Sequence, residues 1–212
     1  MLLASFAIGA LGSNCYILAD PESKMAVVVD PGGDLSRIVE NLRAHQLTVS
    51  AILHTHAHPD HVGASAALQQ QTAAEAHMHE ADRNLYRMLP AQALFLGISV
   101  PKKAQVIGTL KDNTTVRAGA LELTVLHTPG HTPGSVCFMV QGTHGPLLLT
   151  GDTLFQRGVG RSDLWGGDKR SLKRSLKHRL LTLPDHTRVL PGHGPPTSIG
   201  EERNLNPYLK NL

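Results

Sequence analysis

The sequence predicts an α/β fold, and three observations support this prediction. Short apolar runs of strand length alternate along the chain with segments whose apolar residues recur at helical spacing. Turn-forming Gly, Pro, Asn and Asp residues separate these segments. Histidine and aspartate residues follow several of the apolar runs, so the ends of the strands can converge on one rim of a sheet.

The first half of the chain contains two predicted strands. Met25 to Val29 is a short apolar run that ends in a turn signal, Asp30-Pro31-Gly32-Gly33. Helical spacing of apolar residues begins behind Asp34, which we expect to cap a helix. Val49 to Leu53 is the next predicted strand. Two further segments are predicted to be helical, residues 62–71 and 81–88.

The second half of the chain continues the alternation. Leu121, Leu123 and Val125 alternate with Glu122 and Thr124, which indicates a strand with one buried face. The remaining predicted elements are two strands joined by a turn, then a helix and a last short strand, at residues 136–140, 147–149, 169–181 and 187–190.

Length and composition are typical of one globular domain. The chain has 212 residues, of which 41% are hydrophobic, so we expect a single sandwich-like domain spanning residues 1–212. No apolar stretch approaches the roughly 20 residues that a membrane helix needs, and no basic segment at the start indicates an export signal. The two cysteines, Cys15 and Cys137, lie in apolar surroundings and are expected to be buried free thiols. This favours a cytoplasmic location.

The net charge of +3 is too small to indicate a nucleic-acid-binding surface by itself. The only basic cluster is at residues 169–179, where Leu172, Leu176 and Leu180 recur at four-residue spacing. We favour an amphipathic helix with a solvated basic face. Attraction of an anionic substrate or of nucleic acid is the alternative.

Candidate metal-ligating residues are concentrated in one run of eight residues, from His54 to His61, which follows an apolar run directly. His-x-His-x-Asp-His spacing within it crowds three imidazoles and a carboxylate into one loop. A buried loop tolerates such a set when a cation compensates it, and these groups are the ligands that borderline divalent ions prefer. Three further candidates follow other apolar runs, each beside a glycine: His131, Asp152 and His193.

This ordered set of motifs resembles the metallo-β-lactamase superfamily. The resemblance runs through nearly the whole chain, from Asn14-Cys15-Tyr16 and Val29-Asp30-Pro31-Gly32 to the last Gly-His turn. It implies a four-layer αββα sandwich with two metal ions at one edge of the two sheets.

The resemblance also implies a role for each motif residue. His56, His58 and His131 would bind the first metal, Asp60, His61 and His193 the second, and Asp152 would bridge them. Asp30 would not bind a metal itself but would orient the ligands by accepting a hydrogen bond from an imidazole N–H that does not face the metal. Asp152, Asp60 and His61 would be the catalytic residues, and the two metals would share the reacting water. Zn is the first expectation for the two divalent ions, and Fe or Mn also suit this ligand set. His54 and His127 are not expected to be ligands.

Within the superfamily, the sequence looks most like glyoxalase II-like hydrolases. Leu149-Thr150-Gly151-Asp152-Thr153 and Gly158-Val159-Gly160-Arg161 carry this likeness. Arg161 matches a cation that binds a glutathione carboxylate. Two departures concern the substrate: Asp163 stands where the longer enzymes have a tyrosine, and the C-terminal helical region of those enzymes is missing. Secreted β-lactamases of the two-zinc type carry a cysteine where this chain has Asp152.

We therefore expect a metal-dependent hydrolase that cleaves a thioester such as S-lactoylglutathione through a metal-bridging hydroxide. The expected partner is a small acyl thioester, glutathione-linked if the likeness extends to the substrate, and neither a membrane nor a nucleic acid. Two alternatives stay open. The first is a mononuclear iron persulfide dioxygenase, in which His56, His131 and Asp152 would hold the iron. The second is another superfamily hydrolase, such as a lactonase or a phosphodiesterase.

Overall fold

Two six-stranded sheets form the centre of a computed structural model that describes residues 1–210 and 212, except for the side chains of residues 107 and 108. In spatial order, the first sheet consists of β1 (Leu2–Ile8), β2 (Ser13–Ala19), β3 (Met25–Val29), β4 (Thr48–Leu53), β5 (Glu75–His79) and β6 (Val106–Leu110). Its first two strand pairs are antiparallel, and the pairs from β3 to β6 are parallel.

The second sheet is also mixed, but with a single parallel pair of strands. In chain order its strands are β7 (Thr115–Ala118), β8 (Leu121–His127), β9 (Val136–Gly142), β10 (Gly145–Gly151), β13 (Arg188–Pro191) and β14 (Thr197–Ser198). Their spatial order is β14-β13-β10-β9-β8-β7, and β10 and β13 are parallel. A separate short hairpin is formed by β11 (Leu154–Phe155) and β12 (Gly158–Val159).

The two sheets pack face to face because successive residues of a strand point to opposite faces. On β3, Val27 and Val29 belong to the central core, which also contains Phe138 of β9. Ala26 and Val28 point to the other face and pack in a second cluster with Ile38. The strands are therefore apolar on both faces, as expected for a sheet that is covered on both sides.

Helices cover the two outer faces of the sheets. The first sheet is covered by α1 and α3, through Ile38 and Leu68, and the second by α6 and α7, through Leu172 and Ile199. The predicted four-layer αββα sandwich is thereby confirmed. The helices are α1 (Leu35–Ala44), α2 (Pro59–Val62), α3 (Ser65–Thr72), α4 (Arg83–Arg87), α5 (Leu89–Leu96), α6 (Lys169–Ser175) and α7 (Ile199–Leu205), with a 3-10 turn at Glu80–Asp82 and a π turn at Leu176–Leu180.

The predicted amphipathic segment at 169–181 is present as α6 and the π turn. Leu172, Leu176 and Leu180 are buried, whereas most of the basic residues between them are exposed. Cys15 and Cys137 are fully buried free thiols, as the sequence indicates. Across the described residues, we find no helix that combines the length and the hydropathy needed to cross a membrane.

One local prediction is confirmed only in part, because Asp34 occupies the N-cap position of α1 without capping it through its side chain. Asp34 precedes α1, but its side chain makes no capping hydrogen bond with that helix. Its backbone is left-handed, with φ of 42°, and its Oδ2 accepts a hydrogen bond from the backbone N–H of Gly9 at 3.0 Å. The carboxylate therefore closes the β1–β2 turn onto the loop after β3.

Candidate metal centre

The seven predicted ligands meet at one edge of the sandwich, because the strands that precede them end there. The run His54–His61 follows β4 of the first sheet. Asp152 follows β10 directly, and His193 lies two residues after β13. Since β10 and β13 are parallel neighbours, their carboxyl ends lie at the same edge. We call these seven residues the ligand centre: His56, His58, Asp60, His61, His131, Asp152 and His193.

The first group of the ligand centre consists of three buried imidazoles. The Nδ1 atom of His58 lies 3.1 Å from Nε2 of His56 and 3.0 Å from Nε2 of His131. Burial, reinforced by the neighbouring imidazoles, lowers the pKa of His56 well below its usual value and that of His58 to about 3. These two rings are therefore neutral at pH 7. Lone pairs that converge at such distances fit a single cation.

The second group combines carboxylate and imidazole. The Nε2 atom of His193 lies 3.2 Å from Oδ2 of Asp60 and 3.3 Å from Nε2 of His61. Burial alone would lower the pKa of His61, but the carboxylates of Asp60, Asp152 and Asp30 outweigh it and raise this pKa to about 10. The same balance of burial and carboxylates raises the pKa of His193. This group requires positive charge, which a proton or a metal ion on these nitrogens would supply.

Asp152 lies between the two groups. Its Oδ1 atom is 3.5 Å from Nε2 of His61, and its Oδ2 atom is 3.6 Å from Nε2 of His131. The Oδ1 atom is buried and has no hydrogen-bond partner among the described residues. Gly192 makes room for this approach, since a Cβ atom there would lie 2.1 Å from Oδ1 of Asp152. A single carboxylate is thus placed to be shared by two cations.

Asp30 is hydrogen-bonded to His61 directly, and it is connected to His56 through the hydroxyl of Thr55. The Nδ1–H of His61 donates to Oδ2 of Asp30 at 3.0 Å. The hydroxyl of Thr55 donates to the same oxygen at 2.6 Å, so its own oxygen is left to accept from Nδ1–H of His56 at 3.0 Å. Both rings then present Nε2 to the centre. The sequence analysis did not identify Thr55.

A backbone oxygen and a buried carboxylate hold the loop that carries His131. The Nδ1–H of His131 donates to the carbonyl oxygen of Arg161 at 2.7 Å, which leaves Nε2 for the centre. Asp82 is fully buried, and its Oδ2 atom accepts from the backbone N–H of Ala57 at 3.0 Å and from the hydroxyl of Thr132 at 2.8 Å. Its Oδ1 atom accepts from the backbone N–H of Gly134 at 2.6 Å. Asp82 therefore joins the His56–His58 loop to the His131 loop.

Arg161 lies beside the ligand centre, in the wall of the same cavity. Its guanidinium donates to both carboxylate oxygens of Asp163, at 2.9 and 3.0 Å. Asp163, which departs from the glyoxalase II pattern, is thus paired with Arg161, which matches that pattern. Burial does not contribute to this pair, because both side chains are more than half exposed.

His54 and His127 use their ring nitrogens away from the ligand centre, in line with the expectation for both. Nδ1 of His54 lies 3.0 Å from the carbonyl oxygen of His77, and Nε2 lies 2.7 Å from the hydroxyl of Ser65. His127 stacks on His79, with ring centroids 4.0 Å apart, and its Nε2–H donates to the carbonyl oxygen of Pro133. These contacts stabilise the loops that surround the site.

The donor set fits two divalent cations. It offers five imidazole nitrogens and two carboxylates, arranged as two groups with one shared carboxylate. The buried Oδ1 of Asp152 and the neutral rings of the first group would be costly without a cation to satisfy them.

Comparison with known proteins agrees with this description of the fold. The family model of the metallo-beta-lactamase superfamily matches residues 8–193. The Mycobacterium leprae protein ML0493 is 42% identical over 222 residues, with all of both chains covered. The probable metallo-hydrolase YqgX of Bacillus subtilis is 36% identical, with 95% of this chain and 94% of YqgX covered. Hydroxyacylglutathione hydrolase GloC of Haemophilus influenzae is 34% identical, with 95% of each chain covered.

Solved structures show the same architecture. The BLEG-1 B3 metallo-beta-lactamase superposes with a TM-score of 0.90 at 36% identity, covering 99% of this chain and all of that one. TTHA1623 in a di-iron-bound form gives a TM-score of 0.86 at 37% identity, with the same coverage. ETHE1 from Myxococcus xanthus gives 0.82 at 30% identity, covering 100% of this chain and 85% of that one.

Proposed function

The chain belongs to the metallo-beta-lactamase superfamily, which supports a metal-dependent hydrolase, and we propose that its substrate is an acyl thioester. The observation that carries this proposal is the position of Asp152 between two ligand groups. A shared carboxylate of this kind is typical of two-metal hydrolytic sites. The relative GloC, by its name a hydroxyacylglutathione hydrolase, supports a thioester as the substrate class.

The two ligand groups would hold the two cations, with His56, His58 and His131 on one and Asp60, His61 and His193 on the other. Asp152 would be shared. When bound, these cations would supply an activated water and would polarise the carbonyl group of the substrate. We propose zinc, because imidazole and carboxylate in this number suit it. Iron is the competing metal, and the di-iron form of TTHA1623 supports it.

The residues of the chain would orient the ligands and accept protons. Asp30 and Thr55 fix the rings of His61 and His56, and the carbonyl of Arg161 fixes His131. The carboxylates of Asp60 and Asp152 are the anionic groups in the cavity, and either is placed to accept a proton from an attacking water. Burial opposes ionisation of Asp60, yet His61 and His193 hold its pKa below the usual value.

A thioester suits this cavity because its leaving group needs no proton donor. A thiol has a pKa of about 8.5, so it leaves as a thiolate more readily than an alcohol or amine leaves unprotonated. Among the residues that line the cavity, the side chains that could donate a proton to a leaving group are those of the ligand centre, which would also hold the cations. A thioester, whose thiolate can leave unprotonated, therefore demands less of this site than an ester or amide.

A single-iron dioxygenase site made of His56, His131 and Asp152 is the main competitor. The Nδ1 atom of His58 lies within 3.1 Å of nitrogens of both His56 and His131. This geometry favours a set of three imidazoles over a set that omits His58, and hence favours the hydrolase.

The test is reconstitution of the purified protein with Zn, Fe or Mn, followed by metal analysis and two assays. We expect hydrolysis of acyl thioesters, with about two metal ions per chain, and little oxygen consumption with glutathione persulfide. Asp152→Ala should lower both metal content and hydrolysis, whereas His144→Ala, an exposed control, should leave them unchanged. Oxygen consumption by a one-iron form without thioester hydrolysis would overturn the proposal.

The location of the protein is a further part of the proposal. Cys15 and Cys137 are buried and form no disulfide with each other, which suits a reducing compartment. We therefore propose a cytoplasmic location. The cavity beside the ligand centre supports a small molecule as the partner.

A further inference from the structure

The cavity beside the ligand centre has two chemically different sides. Its volume is about 370 Å³, which lies in the range of small-molecule binding sites. One side consists of ligand-centre residues. The other side, which we call the apolar wall, is formed by Leu11, Leu96, Phe155, Val159, Leu164 and Trp165.

The apolar wall is assembled from four separate segments of the chain. Leu11 comes from the β1–β2 turn, Leu96 from the end of α5, Phe155 from the β11–β12 hairpin, and Trp165 from the loop before α6. All six wall side chains are at least partly exposed, and Leu11 is 43% exposed. Apolar surface that stays in water around a reaction centre indicates a ligand that covers it.

Trp165 is held in place within this wall. The ring of Phe95, which is 65% exposed, packs edge-to-face against it, with centroids 5.0 Å apart and planes at 77°. Such pairs stabilise a fixed ring orientation. On the opposite flank, the ring of Phe155 lies 6.3 Å from that of His193, so the apolar wall begins directly at the ligand centre.

Apart from the proposed cations, the cavity offers little free positive charge for an anionic substrate. Arg161 is the only Arg or Lys among the residues that line it, and its guanidinium is paired with Asp163 through two hydrogen bonds. Although the exposed pair contributes little to stability, the carboxylate of Asp163 reduces the positive charge that Arg161 offers to a substrate. Recognition by the apolar wall is then the stronger source of binding free energy.

We propose that the site selects acyl thioesters whose acyl group is apolar, and that the apolar wall binds this group with Trp165 as its anchor. This inference rests on the proposed thioester hydrolysis. In that reaction the oxygen of water bonds to the carbonyl carbon and the carbon–sulfur bond breaks. The products are a carboxylic acid and a thiol, and no electrons are exchanged with a third compound.

The first experiment varies only the acyl chain. With the metal-loaded protein, kcat/KM is measured for the acetyl, butyryl, hexanoyl and octanoyl thioesters of N-acetylcysteamine, and for S-lactoylglutathione. Because a fully buried methylene contributes about fourfold, we expect a gain of at least about tenfold from acetyl to octanoyl in this open cavity. Equal values across the series, or a preference for the lactoyl compound, would overturn the inference.

Two variants locate the effect. Trp165→Ser should reduce the gain from acetyl to octanoyl to about threefold or less, because the anchor of the apolar wall is lost. Leu94→Ser is the matched control, since Leu94 is 81% exposed on α5 but does not line the cavity. It should keep the full dependence on chain length. An unchanged dependence in Trp165→Ser would contradict the role of the apolar wall.

The second experiment does not depend on activity. Trp165 is the only tryptophan of the chain, so its emission reports on this cavity alone. The non-hydrolysable thioethers S-ethyl- and S-octyl-N-acetylcysteamine are titrated into the protein by calorimetry and fluorescence. We expect the octyl compound to bind at least about tenfold more tightly and to shift the emission to the blue. Equal affinities would overturn the inference.

The two experiments separate this inference from the proposed function. Tight binding of the octyl thioether without hydrolysis of any thioester would contradict the proposed function and support the apolar site. If thioesters are hydrolysed with a kcat/KM that does not depend on acyl chain length, and the two thioethers bind equally, the proposed function is supported and the inference is overturned.

Discussion

The ligand centre and the apolar wall face each other across one cavity, but they are held in place differently. In the ligand centre, hydrogen bonds from the imidazole N–H groups to Asp30, Thr55 and the Arg161 carbonyl fix the rings at the ends of strands. In the apolar wall, loop side chains such as Leu11 and Trp165 stay partly exposed. The difference indicates that the chemistry depends on a rigid scaffold, whereas substrate selection depends on loops that can vary. The predictions below test this separation, from the largest effect to the smallest.

Metal removal should have the largest effect, and it should act on the ligand centre alone. A chelator should abolish hydrolysis reversibly. It should also lower the melting temperature, because a ligand present at about 1,000 times its Kd stabilises the folded state by about 4 kcal/mol, or about 8–16 °C for a chain of this size. Calorimetry with and without chelator measures the shift. The metal-free protein should still bind thioethers at the apolar wall. Loss of this binding would show that the structure of the apolar wall depends on the metal-bound ligand centre.

Asp30→Asn should weaken metal binding without touching the apolar wall. The neutral amide oxygen accepts hydrogen bonds from the Thr55 hydroxyl and from Nδ1–H of His61 less strongly than the carboxylate does. The rings of His61 and His56 are then held less firmly. We expect metal affinity to fall by about 10–100-fold, measured by competition with a chromophoric chelator. Thr55→Val is the matched variant and should have a smaller effect, since only His56 depends on its hydroxyl. An affinity equal to that of the parent protein would contradict the tautomer assignment.

Asp82→Asn tests whether the two ligand loops depend on one buried carboxylate. Each carboxylate oxygen of Asp82 accepts a hydrogen bond from a backbone N–H, and in the variant the NH2 group of the amide would face one of these donors. About 1–3 kcal/mol of stability should therefore be lost. Denaturant unfolding of the metal-free protein measures this loss. Metal affinity should also fall, because Ala57 lies between two ligands of the first group. If stability falls and metal affinity does not, Asp82 supports the fold alone.

Away from the cavity, the ion pair between Asp112 and Arg179 should show the smallest effect. Two hydrogen bonds from Arg179, at 2.7 and 2.9 Å, lower the pKa of Asp112. A carboxyl with a lowered pKa in the folded state stabilises the protein above its unfolded pKa, and this contribution disappears as the pH falls through the folded pKa. Asp112→Asn should therefore cost about 1 kcal/mol at pH 7.

The pH dependence of that cost is the measurement. The difference in unfolding free energy between Asp112→Asn and the parent protein should shrink as the pH is lowered below 4. Hydrolysis and thioether binding should match the parent protein at pH 7. If the difference in unfolding free energy does not change below pH 4, the effect of the substitution does not come from the charge of Asp112.

Much of the fold could be predicted from local patterns, and the exceptions have physical reasons. The strand at Met25–Val29 was predicted with its observed ends because a turn signal closes it. The strand β2 was not predicted, because it is buried on nearly its whole length and shows no alternation. Asp34 occupies the predicted N-cap position, but its side chain does not cap α1, because its carboxylate accepts from the backbone N–H of Gly9, which lies 25 residues away in sequence.

The candidate site shows the same division. His56, His58, Asp60 and His61 share one short loop, so their spacing alone indicates a common site. Asp82, by contrast, stands in a 3-10 turn with no motif around it. Its role depends on Ala57 and on Thr132 and Gly134, which approach from loops of two different sheets.

The sequence by itself determined the donor set and its order, because ligand chemistry depends on residue type and on short spacings after strands. Only the tertiary structure decided what surrounds that set. The pairing of sheet edges brings Asp152 between the two groups. The β1–β2 turn, the end of α5, the β11–β12 hairpin and the loop before α6 meet as the apolar wall. Such contacts follow from how the sheets and loops pack, and no local period in the sequence records them.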